Sequence, residues 1–227
     1  MKAITQVRRQ WPRICLVGLL CLASSVAGAR HHRERNIEGG EPGQFDYYLL
    51  TLSWSPTYCL THPDDRPQCA GKGYGFVLHG LWPQFDSGGY PENCAADTRL
   101  SADAEAVGRT LYPSPKLMQH EWQRHGTCSG LEAVDYFRTA DRALAAVRIP
   151  APFEAPLATL TMSHGQIAAQ FRAANPGMPE DGLTVACSRG ELSEVRVCLS
   201  RDLTVRSCGR RVRSSCPSAA VQVPSSR

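Results

Sequence analysis

Two imidazoles, a carboxylate and a guanidinium fall within six residues of this chain, in the stretch His120-Glu121-Trp122-Gln123-Arg124-His125-Gly126-Thr127-Cys128. If the stretch is helical, about 100° of rotation per residue places His120, Glu121, Arg124 and His125 on roughly 140° of one face. Trp122 then points the other way, towards a core. Such a face can donate a proton, accept one and hold an anion, which suits chemistry on a phosphate ester. A charged, solvated helix face is the plainer alternative, so the rest of the chain has to decide.

A second segment, His79-Gly80-Leu81-Trp82-Pro83-Gln84, follows a run that reads as a strand. A single strand-end histidine is more often structural than catalytic. Paired with the His120–His125 face it gains a purpose, because two histidines on opposite sides of a phosphodiester permit in-line acid–base transfer. One would take the proton from an attacking hydroxyl, and the other would protonate the leaving oxygen. Glu121, Arg124 and a third imidazole would stabilise charge growing on the phosphoryl oxygens. RNA carries its own nucleophile, the 2′-OH, so no metal-bound water and no cofactor is called for. A zinc helix is the competing reading, but its His-Glu-x-x-His spacing puts the histidines at i and i+4. Here the second histidine comes at i+5, and no third ligand is evident.

The first 29 residues read as a cleaved secretory signal. Lys2, Arg8, Arg9 and Arg13 form a basic lead, Ile14 to Val26 an apolar run, and Ala27-Gly28-Ala29 the small-residue cleavage site. The apolar run is too short to favour a membrane span. All four excess positive charges of the chain lie in this segment, leaving 21 basic against 21 acidic residues. A broad electrostatic footprint for nucleic acid is therefore absent at neutral pH. All seven histidines remain, so the protein becomes cationic in mildly acid medium and should hold a polyanion better there.

Eight cysteines survive removal of the signal: Cys59, Cys69, Cys94, Cys128, Cys187, Cys198, Cys208 and Cys216. An even set in an exported chain reads as four disulfides, although counting alone allows about 105 pairings. No CxxC pair occurs, which makes zinc ligation the weaker reading.

The elements that must position these residues are interspersed. A Gly-rich lead over 30–44 contains His31 and His32. Alternation predicts a strand over Phe45–Trp54, a Pro-bearing loop over 55–73, a strand over Tyr74–Leu78 ending at His79, and a loop over 85–98. Helices are predicted over Ser101–Tyr112 and, from the Ser114-Pro115 cap, through His120 to about His125, stopping near Gly126. Further helices are predicted over Leu131–Val147 and Ser163–Ala174. Short strands are expected over 183–187, 193–199 and 203–208, with a frayed tail over 218–227. His62 and His164 match no motif and read as loop and surface residues. Together these imply an α+β single domain over 45–217, with a largely antiparallel central sheet flanked by helices and stapled by disulfides.

The segments His79-Gly80-Leu81-Trp82-Pro83 and His120-Glu121-Trp122-x-x-His125-Gly126-Thr127-Cys128 resemble the two signatures of the ribonuclease T2 family. Gly88-Gly89-Tyr90-Pro91-Glu92-Asn93-Cys94, Trp54-Ser55-Pro56 and Glu194-Val195-x-Val197-Cys198 with Cys216-Pro217 are similar to that family as well. The family consists of secreted, metal-independent endoribonucleases, often with acid pH optima. The resemblance implies His125 as general base, His79 as general acid, His120 as a phosphate holder and Glu121 as a stabiliser of the transition state. It puts Trp82 and Tyr90 where a base is stacked, which suits recognition of low base specificity; core packing is the alternative for Trp82. It implies the pairings Cys59–Cys69, Cys94–Cys128, Cys187–Cys216 and Cys198–Cys208.

Two positions depart from the common pattern. Arg124 stands where many members have Lys; it keeps the charge and adds a planar fork. Gln84 stands where many have an Asp that accepts from a base, and Gln can donate as well as accept.

The expectation is a secreted or periplasmic, monomeric endoribonuclease without stable membrane association, its partner an RNA substrate. It would proceed through a 2′,3′-cyclic phosphate to 3′-phosphate ends. A catalytically idle RNA- or protein-binding member of the same fold and a metal-dependent hydrolase are the competing classes.

Overall fold

The computed structural model describes residues 37–217 and 220–226. The expected signal, 1–29, and the pair His31 and His32 lie outside the described residues. Among the described residues eight strands run in chain order: β1 (Ile37–Glu38), β2 (Tyr47–Trp54), β3 (Phe76–Gln84), β4 (Pro91–Glu92), β5 (Leu160–Met162), β6 (Leu183–Ser188), β7 (Glu191–Leu199) and β8 (Val221–Val223). Among the described residues there are six helices: α1 (Ser55–Thr61), α2 (Arg66–Cys69), α3 (Ala102–Leu111), α4 (Pro115–Arg124), α5 (Ala133–Ala145) and α6 (His164–Ala174). The architecture is α+β, as expected.

The main sheet has the order β3-β2-β7-β8-β5, with β6 also paired to β7. Its pairings are antiparallel except for a single parallel contact between β7 and β8 at Glu191–Gln222. A separate two-stranded ribbon joins β1 and β4 in parallel. Strand β2 is buried along most of its length, with Leu50, Leu52 and Trp54 in the main core. Helix α5 contributes Tyr136 and Phe137 to that core, and the Tyr136 hydroxyl donates to the Leu81 carbonyl at 2.9 Å, propping β3 from behind. Among the described residues no helix is long and apolar enough to cross a membrane.

Local chemistry accounts for the helix starts. Ser101, Ser114 and Ser163 each sit in extended backbone and accept from the amide three residues on, satisfying a donor that the first turn leaves free. Pro115 opens α4, where its missing N–H is harmless.

The four disulfides are Cys59–Cys69, Cys94–Cys128, Cys187–Cys216 and Cys198–Cys208, the pairings that the family resemblance implies.

Several local expectations change, beginning with β1 and β4, which put a paired ribbon inside the expected lead over 30–44 and the expected loop over 85–98. The 55–73 stretch is not all loop: Pro56 and Pro67 sit in first turns and open the short helices α1 and α2. Strand β3 does not stop at His79 but runs on to Gln84. Pro83 is tolerated there because β3 is an edge of the sheet. The 203–208 stretch is a turn with a lone bridge, Leu199–Val205, because Leu203 adopts a left-handed φ of 69°. Within the expected frayed tail, residues 221–224 are tied down: Val221 and Val223 are fully buried in β8, and the Pro224 carbonyl accepts from the Trp54 indole at 3.0 Å. A three-residue Val-Gln-Val alternation is too short to stand out in sequence.

Candidate active site

The site is built where edge strand β3 faces the end of α4. In the β2–β3 register Thr51 opposes Gly80 and Leu52 opposes Leu78, so His79 is the extra residue of a β-bulge. A bulge bends its strand and re-aims the side chain that it carries. His79 thereby reaches carboxylates on two other elements. Its Nδ1 lies 2.7 Å from Glu194 Oε1 on β7, and its Nε2 lies 3.7 Å from Glu121 Oε1 on α4.

Helix α4 brings the predicted face together. Glu121 is fully buried, and its Oε2 accepts from the Trp82 indole N–H at 2.7 Å. Trp122, on the other face, packs in the core as expected. His125, only 5% exposed, caps the helix, with its amide donating to the Glu121 carbonyl at 3.1 Å. The His125 ring stacks on Trp82 with centroids 5.0 Å apart and a 28° tilt, and Tyr90 stands 5.6 Å away. His79 meets the same Trp82 edge-on at 5.1 Å. Two imidazoles, one from the strand and one from the helix, thus contact the same indole.

Gly80 makes this closeness possible. A Cβ at that position would lie 2.0 Å from Glu121 Oε2 and 2.3 Å from Trp82 Nε1, so any larger residue would collide with both partners of that hydrogen bond. On the other side the turn after β4 clamps the helix end. The Asn93 amide donates to the Arg124 carbonyl at 2.9 Å, and the Cys94 amide to Thr127 Oγ1 at 3.1 Å. Arg124 Nη2 pairs with Glu92 Oε2 at 2.5 Å.

The electrostatics set the two histidines apart. Burial opposes charge on His79, but the Glu194 hydrogen bond and the Glu121 and Glu194 charges outweigh it against Arg196, raising its pKa. His125 is driven the other way, to about 2, by burial first and then by the charges of Arg124, His120 and His79. His120, at the exposed side, is lowered by burial and by the Arg124 and His79 charges. Burial raises the Glu121 carboxyl to about 7 against the opposing pull of His79 and Trp82. In mildly acid medium the cluster therefore offers a protonated His79, a neutral His125 and a largely neutral Glu121. A neutral Glu121 can donate a hydrogen bond through Oε1, which has no hydrogen-bond partner.

His79, Glu121, His125, Trp82 and Tyr90 come together as the sequence implies, with His120 and Arg124 on the same helix face. Gln84 does not join them: it is buried at the end of β3, and its amide donates to the neighbouring Pro83 carbonyl at 3.0 Å. Three contributing residues were not assigned a role from sequence. Glu194 orients His79, Arg196 holds Glu194 at 2.6 Å and lies 5.7 Å over the Trp82 ring, and Glu92 pairs with Arg124. Glu92 and Glu194 stand in segments similar to the family, and a Glu and an Arg two apart on a strand of otherwise apolar inward positions were a further signal.

Comparison with known proteins identifies the family. A model described as the ribonuclease T2 family matches residues 45–208. A protein named ribonuclease from Aeromonas hydrophila is 40% identical over 73% of this chain and 76% of its own length. Ribonuclease DdI of Dictyostelium discoideum is 29% identical over 92% and 98% of the two chains. Among solved structures, ribonuclease MC1 from bitter gourd seeds aligns with a TM-score of 0.59 at 26% identity, over 78% of this chain and 99% of its own. An RNase-related protein from Calystegia sepium shares the fold at a TM-score of 0.64 and 22% identity, over 83% and 100%.

Proposed function

The chain belongs to the ribonuclease T2 family and is an endoribonuclease, and from that premise we propose that it cleaves single-stranded RNA by metal-independent transphosphorylation. His125 takes the proton of the ribose 2′-OH, whose oxygen attacks phosphorus. His79 gives a proton to the departing O5′. The products are a 2′,3′-cyclic phosphate and a 5′-OH end. Water then opens the cycle to a 3′-phosphate with the two histidines exchanging roles, as microscopic reversibility requires.

The observation that carries this reading is the opposite tuning of two imidazoles held against one indole: His79 favours its proton and His125 does not. Acid and base assignments follow from such pairs. His120 and Arg124 hold the phosphate, and Glu121, largely neutral in mild acid, donates to a non-bridging oxygen as charge grows there. Trp82 and Tyr90 offer π-faces for bases, which supports low base specificity because every base has such a face. Gln84 reads no base in this arrangement, since it is buried and bonded to its own neighbour. Secretion or periplasmic export is supported by the four disulfides and the leader-like first 29 residues.

The test is digestion of homopolymeric RNA in excess EDTA, with product ends identified. Cyclic phosphates that convert to 3′-phosphates, and intact DNA of the same sequence, are expected. EDTA inhibition or 5′-phosphate products would overturn the mechanism.

A further inference from the structure

Residues 203–217 carry Arg206, Arg210, Arg211 and Arg213 and no Asp or Glu, in a chain whose residues after the first 29 balance 21 basic against 21 acidic in all. This stretch is irregular in backbone yet firmly held. Disulfides tie Cys208 to Cys198 and Cys216 to Cys187. The Cys208 amide donates to the Asp181 carbonyl at 3.0 Å, and the Ser215 amide to the Val185 carbonyl at 3.1 Å. Gly209 packs so closely on Tyr47 that a Cβ there would lie 2.8 Å from the phenol oxygen.

Arg206 is already engaged, pairing with Asp86 at 2.7 Å and lying 4.8 Å over the Tyr47 ring. Arg210, Arg211 and Arg213 are exposed, and none is in an ion pair among the described residues. Three arginines within four residues repel one another unless an anion lies between them. Their position gives that anion an identity. The Arg211 stem covers Gly88, where a Cβ would sit 2.2 Å from Arg211 Cδ and 2.9 Å from Nε. Gly88 precedes by two residues Tyr90, whose ring stands 5.6 Å from that of His125. The cationic loop is therefore continuous with the site along the Gly88–Tyr90 segment.

We propose that the disulfide-tethered loop bearing Arg210, Arg211 and Arg213 is a second phosphate-binding surface, which holds the RNA backbone beyond the nucleotides at the scissile bond. The guanidinium fork matches phosphate oxygens without reading bases, so the contact adds affinity for longer strands irrespective of sequence. It supplies locally what the balanced net charge withholds from the surface as a whole. The proposal rests on the endoribonuclease reading and extends it from the cleaved bond to the strand.

The test compares the wild-type protein with the triple variant Arg210→Gln, Arg211→Gln, Arg213→Gln on a dinucleotide and on a twelve-nucleotide RNA. The ratio of kcat/KM for the long to the short substrate should fall about tenfold or more at low salt. Binding of an uncleavable 2′-O-methyl twelve-mer should lose about 2 from its log–log salt slope, roughly 0.7 per lost phosphate contact on a single strand. An unchanged ratio and slope overturn the proposal. So does weakened binding of the variant to anionic phosphatidylglycerol vesicles with RNA binding intact, which would make the loop a lipid-facing surface. If the wild type cleaves neither RNA, the endoribonuclease reading fails, while the 2′-O-methyl binding measurement still decides the loop.

Discussion

His79 and Glu194 meet at 2.7 Å although their strands are not neighbours. Strand β2 runs between them, and strands two apart lie about 9–10 Å from each other. Two features close the gap: the bulge swings His79 over β2, and the β2 residue in register with Glu194 is the small Ser53. Glu194 Oε2 is in turn held by Arg196 at 2.6 Å. Burial pushes the Glu194 carboxyl up, yet the His79 and Arg196 contacts outweigh it and keep it below the usual range, hence ionised.

Glu194 is therefore a positioning residue for His79, and Glu194→Gln should change when the acid is available. The groups facing His79 are Glu121 from α4 and Glu194 and Arg196 from β7. Its proton is lost as pH rises through its raised pKa, which sets the basic limb of kcat/KM. Removing one facing carboxylate should move that limb towards acid by about one pH unit. A limb left in place, with activity merely scaled down, would show that Glu194 only supports the fold.

His125→Ala should lower kcat at least ~10³-fold, on the scale of lost acid–base catalysis. In the wild type, burial and the neighbouring cations keep His125 unprotonated well below an ordinary imidazole, so the acid limb of the profile should lie far below pH 6.5. The profile of kcat/KM is then a broad plateau in mild acid, lost above His79's pKa. An acid limb near 6.5 would mean that water reaches His125 more freely than its 5% exposure implies.

Glu121→Gln separates catalysis from stability. Glu121 is fully buried with a carboxyl raised to about 7, so the folded state prefers it protonated. A raised folded pKa confers stability that is complete below the unfolded value of 4.5 and is lost as pH rises through about 7. The wild type should lose up to about 3 kcal/mol across that window, and the Gln variant should not. Gln can still accept from Trp82. Melting temperature measured at pH 4.5 and pH 8 should fall more in the wild type than in Glu121→Gln, while the variant loses activity at both. An equal fall in the two proteins would place Glu121 in contact with solvent.

The helix face and the role of Trp122 were legible in sequence because a 3.6-residue period fixes which side chains share a side. The direction of His79 was not, because a bulge is a property of pairing between β2 and β3 rather than of either strand alone. The role of Glu194 was invisible for a related reason. Its partner lies 115 positions away and two strands across, a relation that only the strand order creates. Gln84 differs in the opposite sense: its place beside Trp82 and Pro83 suggests a base contact, and alternation puts it on Trp82's side of β3, but at the strand end it is buried with its amide donating to the Pro83 carbonyl.

Gly80→Ala tests the closest approach in the site. The added methyl would overlap Glu121 Oε2 and Trp82 Nε1, so the 2.7 Å bond between them must break or the strand must shift. Such overpacking costs about 1–3 kcal/mol. Activity should fall by at least an order of magnitude, with a change in tryptophan fluorescence as the indole loses its carboxylate. Wild-type activity and emission would show that β3 can slide without disturbing the histidines.

The Cys94–Cys128 bridge offers a test in which stability and catalysis should move together. It joins the turn after β4 to the 3-10 turn Gly126–Ser129 that immediately follows His125, across a separation of 34 residues. The end of β4 supplies Glu92 to Arg124, and the turn supplies the Asn93 amide to the Arg124 carbonyl. Removing the bridge with paired Cys→Ser changes should cost about 2–5 kcal/mol in urea unfolding. It should also lower kcat at temperatures where the protein remains folded, because Arg124 and His125 lose their outer clamp. The Cys59–Cys69 bridge spans a separation of only 10 and joins α1 to α2. Its removal should cost less stability, since a shorter loop restrains the unfolded chain less, and kcat should hold. Equal effects on kcat from the two removals would mean that the turn after β4 does not hold the catalytic helix end.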